Sequence, residues 1–300
     1  MTTHNGKIDM STITVEPLTP AIGAVVGGVD AARPLDEATI AKLRRVWLDR
    51  QVIFLRDQHL TPEQFKRFGA YFGELDVHPF HRNLGDDLEQ VQEISFDGSR
   101  IRNSTADLWH VDGSYLEHPT TASLLTPVKI PEIGGDTAFA SMHAAYTALP
   151  ESLQRYCEEL YALHSAPRMN ADDLKNLHPT KRPSEEDLVG RVRPVVIVHP
   201  ETGRKTLYVN RMFTRNIVGF AEAESRHLLD MLYEHTTYNL EFQVRHRWRM
   251  GDIAIWDNRA TIHYGVTDYR EMRTMRRLTI KGGPLHGVRD THDDQACVTA

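Results

Sequence analysis

The chain has 300 residues, of which 40% are hydrophobic and 25% charged, a composition that allows one large core or two smaller ones. Its net charge of −6, from 35 Lys and Arg against 41 Asp and Glu, argues against nucleic acid as the principal partner. No apolar run approaches the length of a membrane span, the N-terminus lacks the apolar stretch of a secretion signal, and the two cysteines, Cys157 and Cys297, suggest a reducing, cytoplasmic setting.

The first elements of the chain are two strands and a helix. Residues 11–18 alternate as a strand does. Residues 35–50 carry an apolar helical stripe that follows Asp36, a suitable N-cap. Residues 51–57 are typical of a buried strand.

The middle of the chain predicts helices and one long loop. A helix begins with Thr61 and Gln64, which have the spacing of a capping box. Residues 142–163 predict helices broken at Pro150, and the polar, proline-punctuated residues 165–192 predict a lid-like loop.

The last third is mostly strand-like. Residues 193–210 predict two strands around a turn at 200–203, residues 222–235 an amphipathic helix, and residues 242–266 and 273–283 further strands. Many short strands with few helices favour a β-sandwich or barrel that carries helices over an alternating β-α-β sheet.

The glycine cluster GAVVGG, residues 23–28, is not a nucleotide motif. It has no following Lys-Ser/Thr and does not fit Gly-x-Gly-x-x-Gly. A close-packed turn is the favoured interpretation.

The stretch LWHVDGS, residues 108–114, contains a His-x-Asp triplet. On an extended strand His110 and Asp112 project from one face, about 6–7 Å apart at their Cα atoms, so both could reach one metal ion. A triplet of this kind also arises by chance, and His292-x-Asp294 in the tail is a second copy with no strand after it.

His263 has the best context for a third ligand, because it follows a turn, an apolar strand and a loop and precedes another strand. Two histidines and one carboxylate leave half of an octahedron open, the arrangement associated with non-haem Fe(II) oxygenases. A structural zinc site would instead be closed by four protein ligands.

Arginines gather late in the chain, which suggests either a small anionic ligand or a solvated strand face. If residues 273–280 form a strand, Arg273 and Arg277 share one face, about 13 Å apart, and Arg276 points the other way. Two like charges on a core-directed face are costly unless each meets an anion, so we expect two anionic groups nearby, or one anion and an acidic side chain. The cluster comprises Arg245, Arg247, Arg249, Arg270, Arg273, Arg276 and Arg277.

These residues together resemble the taurine dioxygenase family of Fe(II)- and 2-oxoglutarate-dependent oxygenases, over nearly the whole chain. The matching blocks are WHVD, GGDTAFAS, VHPETGRKTLYVN, FQVRHRWRMGDIAIWDNRATIHY and the arginine pair. The resemblance implies an α+β fold with a mainly β core, a double-stranded β-helix (jelly roll) with helical insertions. We expect one such domain over residues 1–300, with mobile ends at 1–11 and 288–300.

The resemblance also implies roles for individual residues. His110, Asp112 and His263 match the ligands of Fe(II) and thereby the catalytic centre. Thr137 and Arg273 match the positions that hold the distal carboxylate of 2-oxoglutarate.

Substrate-side positions follow from the same comparison. Arg277 matches the arginine that meets the substrate's anionic group and lies near the co-substrate. His78 matches a substrate-side histidine, the backbone at Gly113 falls where the anionic group also touches, and Trp256 would wall the site.

Three positions depart from the taurine enzymes of the family and are candidate specificity determinants. His81 stands where those enzymes have a tyrosine, Ala106 where they have an asparagine, and Asn170 where they have an aromatic residue on the lid. Asp257 and Arg259 are predicted to be a structural pair.

The implied reaction consumes 2-oxoglutarate and O2 at Fe(II), releases succinate and CO2, and hydroxylates a small anionic substrate. A sulfonate such as taurine, and hence a role in sulfur metabolism, is the first expectation, with an aryloxyalkanoate or an alkyl sulfate ester as alternatives. From other classes, a zinc hydrolase would need a general base, and a non-catalytic anion-binding jelly roll would keep the arginines without a metal. We expect a homo-oligomer, a dimer or tetramer, with no membrane or nucleic-acid partner.

Overall fold

Eight strands form the largest sheet in a computed structural model of the chain, which describes residues 13–77, 83–98, 108–166 and 185–290. They are β1 (Thr14–Pro17), β2 (Ala24–Gly27), β3 (Val52–Leu55), β4 (Leu75–Asp76), β5 (Gln92–Asp97), β6 (Ala122–Lys129), β14 (Ile253–Asp257) and β16 (Met272–Ile280). Their order is β1-β2-β3-β14-β6-β16-β4, and β5 also pairs with β16.

Smaller sheets lie beside this one. A three-stranded sheet has the order β13-β7-β15, from β7 (Thr137–Ser141), β13 (Gln243–His246) and β15 (Thr261–Gly265). A second has the order β12-β8-β9, from β8 (Tyr161–His164), β9 (Arg191–Pro194) and β12 (Thr214–Ile217), and β10 (Val196–Val198) pairs with β11 (Lys205–Leu207). In the described part of the chain every strand pair is antiparallel except β2 with β3, so the predicted mainly β architecture is confirmed.

Helices cover the ends and outer faces of the sheets. They are α1 (Glu37–Arg50), α2 (Pro62–Gly69), α3 (Met142–Thr147), α4 (Glu151–Glu158), α5 (Glu185–Val189) and α6 (Glu222–Tyr238). Short 3-10 turns are found at Ala70–Phe72, Asp86–Leu88 and Leu240–Phe242. Both predicted caps are confirmed: Asp36 accepts from the Thr39 backbone N–H, and Thr61 and Gln64 form the capping box. None of the described helices has the length and apolar character needed to cross a bilayer.

The large sheet separates two apolar layers, because successive side chains on a strand point to opposite faces. On β3, Ile53 and Leu55 pack with α1 and α2, whereas Val52 and Phe54 pack with Phe139 of the three-stranded sheet. The same alternation runs through β14 and β16. Of the predicted site residues on this sheet, Trp256 of β14 and Arg273 and Arg277 of β16 lie on the inner face, which is turned toward the three-stranded sheet.

Three local predictions differ from the structure. Residues 161–163 are predicted to be helical but begin β8, because pairing with β9 and β12 outweighs the helical pattern of a short apolar run. Residues 24–27 form strand β2 and not a turn; the turn geometry is confined to the flanking Gly23 and Gly28, with φ of 88° and 76°.

The third difference concerns the predicted lid at 165–192, where Glu185–Val189 is helical and β9 begins at Arg191, while residues 167–184 lie outside the described part. At the start of the predicted mobile end, 288–300, Asp290 accepts hydrogen bonds from the Tyr161 hydroxyl and the Gly287 backbone N–H. Residues 291–300 lie outside the described part, and the mobility of this end stays a prediction.

Candidate metal and co-substrate site

His110 and His263 are held opposite each other by their own backbones. The His110 N–H donates to the His263 carbonyl at 3.0 Å, and the His263 N–H donates to the His110 carbonyl at 2.9 Å. In such a pair both side chains leave the same face. Their ring centroids are 4.1 Å apart, so residues distant in the sequence present two imidazoles to one point.

Asp112 completes a cluster with these imidazoles. His110 Nε2 lies 3.7 Å from Asp112 Oδ1, and His263 Nε2 lies 3.9 Å from Asp112 Oδ2. One potential ligand atom from each of the three residues lies within 4.8 Å of the others, and all three side chains are buried. The three residues predicted to converge therefore do so.

The protonation states suit a metal site. His110 Nδ1 lies 2.7 Å from the Leu108 carbonyl, which accepts the Nδ1 proton and leaves Nε2 as a lone-pair donor facing Asp112. Burial lowers the pKa of His110, and burial together with the neighbouring His110 lowers that of His263 to about 3. Burial opposes ionisation of Asp112, but Arg277 and the two imidazoles outweigh it and hold its pKa well below the usual range.

A second layer of polar groups fixes the Asp112 carboxylate. The Ser123 hydroxyl donates to Asp112 Oδ2 at 2.7 Å, and the Asn258 amide donates to the Ser123 oxygen at 3.0 Å. Asn258 Oδ1 in turn accepts from the Asp112 backbone N–H and from the Trp256 indole. Asp112 Oδ2 thus accepts a hydrogen bond from Ser123, and Oδ1 lies on the side of the cluster nearer His110.

Arg273 and Arg277 lie on the inner face of β16, as predicted, and are 6% and 8% exposed. Arg277 Nη1 lies 3.4 Å from Asp112 Oδ1, and its Nε donates to Gln92 Oε1 at 3.2 Å. Two arrangements are expected around the pair, either two anionic groups or one anion and an acidic side chain, and Asp112 matches the acidic side chain of the second. Arg273 donates to the Thr137 hydroxyl oxygen at 3.4 Å.

A cavity opens beside the cluster, between β16 and the smaller sheet. It is lined by Ile94, Phe96, His110, Leu125, Thr137, Trp256, His263, Gly265, Arg273, Met275 and Arg277. Trp256 forms a wall, with its ring centroid 4.8 Å from that of His263. Both arginines, Thr137 and the two imidazoles therefore line the same cavity.

The remaining predicted site residues divide into two groups. Gly113 is buried in the turn after Asp112 and has a φ of 63°. His78, His81, Ala106 and Asn170 lie outside the described residues, as does the tail copy at His292-x-Asp294.

The other late arginines belong to solvated faces. Arg245, Arg247 and Arg249 are exposed, while His246 and Trp248 between them are buried. Asp257 and Arg259 are the predicted pair: Arg259 Nη2 lies 2.7 Å from Asp257 Oδ2.

Sequence reasoning missed Ser123, Asn258, Gln92 and Trp248. The strand alternation of residues 244–249 could have indicated Trp248 as inward-facing. Ser123 of β6 and Gln92 of β5 have no distinguishing sequence pattern, and only their neighbours in the fold reveal what they contact.

The chain belongs to the family described as "Taurine catabolism dioxygenase TauD, TfdA family", whose model matches residues 14–279. It is 36% identical to an alpha-ketoglutarate-dependent sulfate ester dioxygenase of Pseudomonas putida, over 92% of each chain. It is 34% identical to an alkylsulfatase of Acinetobacter baylyi, over 92% of this chain and 87% of that protein. A crystal structure of a putative alpha-ketoglutarate-dependent taurine dioxygenase from Burkholderia xenovorans superposes with a TM-score of 0.80 at 35% identity, over 93% of each chain. The jelly-roll prediction is thereby confirmed.

The residues present fit an Fe(II) ion and an anionic co-substrate. Neither imidazole Nε2 is within hydrogen-bonding distance of Asp112, so the three groups face each other without satisfying each other. Arg273 Nε and Arg277 Nη2 are buried without a hydrogen-bond partner in the described part of the chain. Two histidines and one carboxylate are also the donor set of non-haem Fe(II) oxygenases.

Proposed function

We propose that this chain is an Fe(II)- and 2-oxoglutarate-dependent dioxygenase that hydroxylates a small organic anion and releases succinate and CO2. The observation that carries the proposal is the cluster of His110, Asp112 and His263, with two imidazoles paired through their backbones beside a cavity that holds two buried arginines. Membership of the family supports the same reaction.

His110, Asp112 and His263 would hold Fe(II), which when bound supplies, with 2-oxoglutarate, the oxidising chemistry that uses O2. The Leu108 carbonyl keeps the His110 proton on Nδ1, and the Ser123 hydroxyl restrains the Asp112 carboxylate. These contacts orient the ligand atoms before the ion arrives.

The protein's other contributions are binding and exclusion of water. Arg273 and the Thr137 hydroxyl would hold the distal carboxylate of 2-oxoglutarate, and the Arg277 guanidinium would anchor the anionic group of the substrate. Trp256 and Phe139 pack against the His263 ring and keep that side of the site dry. The substrate is thereby held in a fixed position for removal of one C–H hydrogen.

A sulfonate or an alkyl sulfate ester is the proposed substrate class. Both present anionic S–O oxygens to Arg277, and hydroxylation of the carbon next to the heteroatom collapses to a carbonyl product with release of sulfite or sulfate. The names of the two relatives favour a sulfate ester, and that of the structural neighbour favours taurine. His78, His81, Ala106, Gly113 and Asn170 stay predictions for the substrate side.

A substrate panel scored by succinate formation tests this choice. It would contain taurine, a primary alkyl sulfate and an aryloxyalkanoate, each with Fe(II), 2-oxoglutarate and O2. We expect turnover of a sulfur compound with an equimolar carbonyl product. Exclusive turnover of the aryloxyalkanoate would overturn the sulfonate or sulfate ester assignment and leave the reaction class intact.

The His110→Ala variant tests the reaction class. Loss of one of three metal ligands should abolish succinate production, while His227→Ala, an exposed histidine on α6, should keep the wild-type rate. Wild-type turnover by His110→Ala would contradict the metal assignment. Hydrolysis of the substrate without 2-oxoglutarate would favour a zinc hydrolase.

The setting and assembly belong to the same proposal. A reducing, cytoplasmic compartment is supported by the buried Cys157, which is a free thiol. A homo-oligomer, a dimer or tetramer, stays a prediction that light scattering on the purified protein would decide.

A further inference from the structure

Trp248 contacts Thr137, a residue of the predicted co-substrate site. Its indole N–H donates to the Thr137 hydroxyl oxygen at 3.0 Å. Both side chains are buried, at 6% and 3% exposure. Trp248 itself does not line the cavity, whereas Thr137 does.

The Thr137 oxygen receives two donors. Besides the indole N–H, Arg273 Nη2 points at the same oxygen, at 3.4 Å. A hydroxyl has two acceptor lone pairs and a single O–H donor. With both lone pairs engaged, the Thr137 hydroxyl can make a further hydrogen bond only as a donor, and Thr137 lines the cavity. A hydroxyl restricted to donation selects a group that only accepts, such as a carboxylate.

The indole is held rigidly in this position. Its ring meets the His246 ring edge-on, with centroids 4.6 Å apart, and His246 stacks on Phe54 at 4.0 Å. His246 Nε2 lies 3.1 Å from the buried Asp252 carboxylate, which also pairs with Arg56. Trp248 is therefore fixed on one side by packed rings and on the other by Thr137.

We infer that Trp248 is a positioning residue for the co-substrate: it engages the Thr137 oxygen so that the hydroxyl proton is presented to the distal carboxylate of 2-oxoglutarate. The inference rests on the proposed function and adds a residue to it. It predicts that loss of the Trp248 indole N–H weakens the binding of 2-oxo acids that have a distal carboxylate and has little effect on the binding of those that lack one.

The test is the dissociation constant of 2-oxoglutarate for the Mn(II)-loaded protein, measured by calorimetry for wild type and Trp248→Phe. Phenylalanine keeps an aromatic ring and removes the N–H. We expect 2-oxoglutarate to bind about 3- to 30-fold more weakly, because the variant loses the hydrogen bond from the indole N–H to the Thr137 oxygen. Binding of 2-oxopentanoate, which has the same five carbons without the second carboxylate, should change less than about twofold on the same scale.

Two further variants separate positioning from a general loss of packing. In a Thr137→Val background, Trp248→Phe should have no additional effect on 2-oxoglutarate binding, since the hydroxyl is already gone. Trp47→Phe is the matched control, because Trp47 is fully buried and its indole nitrogen has no hydrogen-bond partner in the described residues. It should leave the 2-oxoglutarate affinity at the wild-type value.

Each outcome has a distinct meaning. Equal weakening of both 2-oxo acids, an unchanged 2-oxoglutarate affinity, or a full effect in the Thr137→Val background would overturn the role of Trp248. Failure of the wild-type metal-loaded protein to bind 2-oxoglutarate at all would instead overturn the proposed function.

Discussion

Two arginines of one strand have the same charge and similar burial but different neighbours. Arg277 lies against Asp112 and Gln92, whereas Arg273 reaches Thr137. Burial lowers the pKa of Arg273, although Tyr269 and Asp136 counteract it. Asp112 partly compensates the charge of Arg277, whose Nη2 has no partner in the described part of the chain, whereas Arg273 meets a neutral hydroxyl. Since a buried charge without a full set of partners is costly, we propose an anionic ligand at each arginine, one near His110, Asp112 and His263 and one farther along β16.

Replacing Arg277 by alanine tests this division. We expect the KM of the anionic prime substrate to rise by about 10- to 100-fold, as for loss of a charge-assisted hydrogen bond worth about 1.5–3 kcal/mol, with a smaller effect on 2-oxoglutarate. Arg276→Ala is the control, because Arg276 points to the opposite face and pairs with Glu93. Steady-state kinetics with each substrate varied in turn provide the measurement. Comparable weakening of both substrates would remove the separate role of Arg277.

The arginines were predictable from the sequence because they lie on β16, where a period of two fixes the face. His110 and Asp112 were expected on an extended strand, whereas the structure has an isolated bridge at His110 and a turn that begins at Asp112. Both side chains nevertheless reach the cluster. Ser123 and Asn258 were not predictable, since their contacts with Asp112 depend on which strands are neighbours in the sheet. Thr137 and His263 were identified through the resemblance and through sequence context, and their distances to the other site residues required the fold.

At the scale of elements, the turn after Asp112 decides whether the cluster can form. Gly113 has a φ of 63°, a left-handed conformation, and a Cβ built there would lie 2.7 Å from the Thr120 hydroxyl oxygen and 2.9 Å from Leu116. The Leu116 backbone N–H donates to the Gly113 carbonyl, which closes the turn. The turn directly after Asp112 therefore strongly favours a residue that lacks a side chain.

Gly113→Ala should destabilise the fold and weaken metal binding together. We expect a loss of about 2–4 kcal/mol in the free energy of unfolding, of which about 1 kcal/mol is backbone strain and the rest the clash with Thr120 and Leu116. Gly203→Ala is the matched control, since Gly203 has a φ of 68° and open space around its Cβ position. It should show the strain alone and bind Mn(II) as wild type does. Equal stability losses for both variants in urea denaturation would contradict the role of the turn.

Helix caps and strand alternation predicted most elements correctly, for local reasons. Thr61 with Gln64 satisfies backbone donors within one turn, and β3 alternates between two cores. Residues 161–163 were misassigned because a short apolar run after a helix is compatible with either state until partner strands are known. Pairing with β9 and β12 is long-range information that the local sequence lacks.

At the scale of the whole molecule, buried neutral histidines link stability to pH. His164 is fully buried, its Nδ1 lies 3.1 Å from the Ser114 hydroxyl oxygen, and burial with the nearby Arg193 and Arg215 lowers its pKa to about 3. The unfolded chain binds a proton at this residue below a pKa of about 6.5, whereas the folded chain does not until about 3. The contribution of the neutral His164 imidazole to the free energy of unfolding is therefore fully present above about pH 6.5 and is lost as the pH falls toward 3.

The His164→Asn variant tests this linkage. At pH 7.5 it should be less stable than wild type, because packing and hydrogen bonds are lost. On acidification the difference in the free energy of unfolding should shrink, by at most about 1.4 kcal/mol per pH unit. The reason is that protonation of His164 favours the unfolded chain in the wild type, whereas asparagine does not bind a proton. His227→Asn, at an exposed position, should keep a constant difference from wild type. Urea unfolding between pH 7.5 and 4.5 measures both, and a pH-independent difference for His164→Asn would contradict the account.

The most direct measurement of the central claim is anaerobic spectroscopy of the metal site. Fe(II) and then 2-oxoglutarate are added to the purified chain without O2, and the visible spectrum is recorded for wild type, His110→Ala and the exposed-site control His227→Ala. A visible metal-to-ligand charge-transfer band should appear in wild type and His227→Ala at one equivalent of each addition, and should be absent from His110→Ala. A wild-type chain that gives no band, or a band that survives removal of the His110 imidazole unchanged, would contradict the shared site of His110, Asp112 and His263.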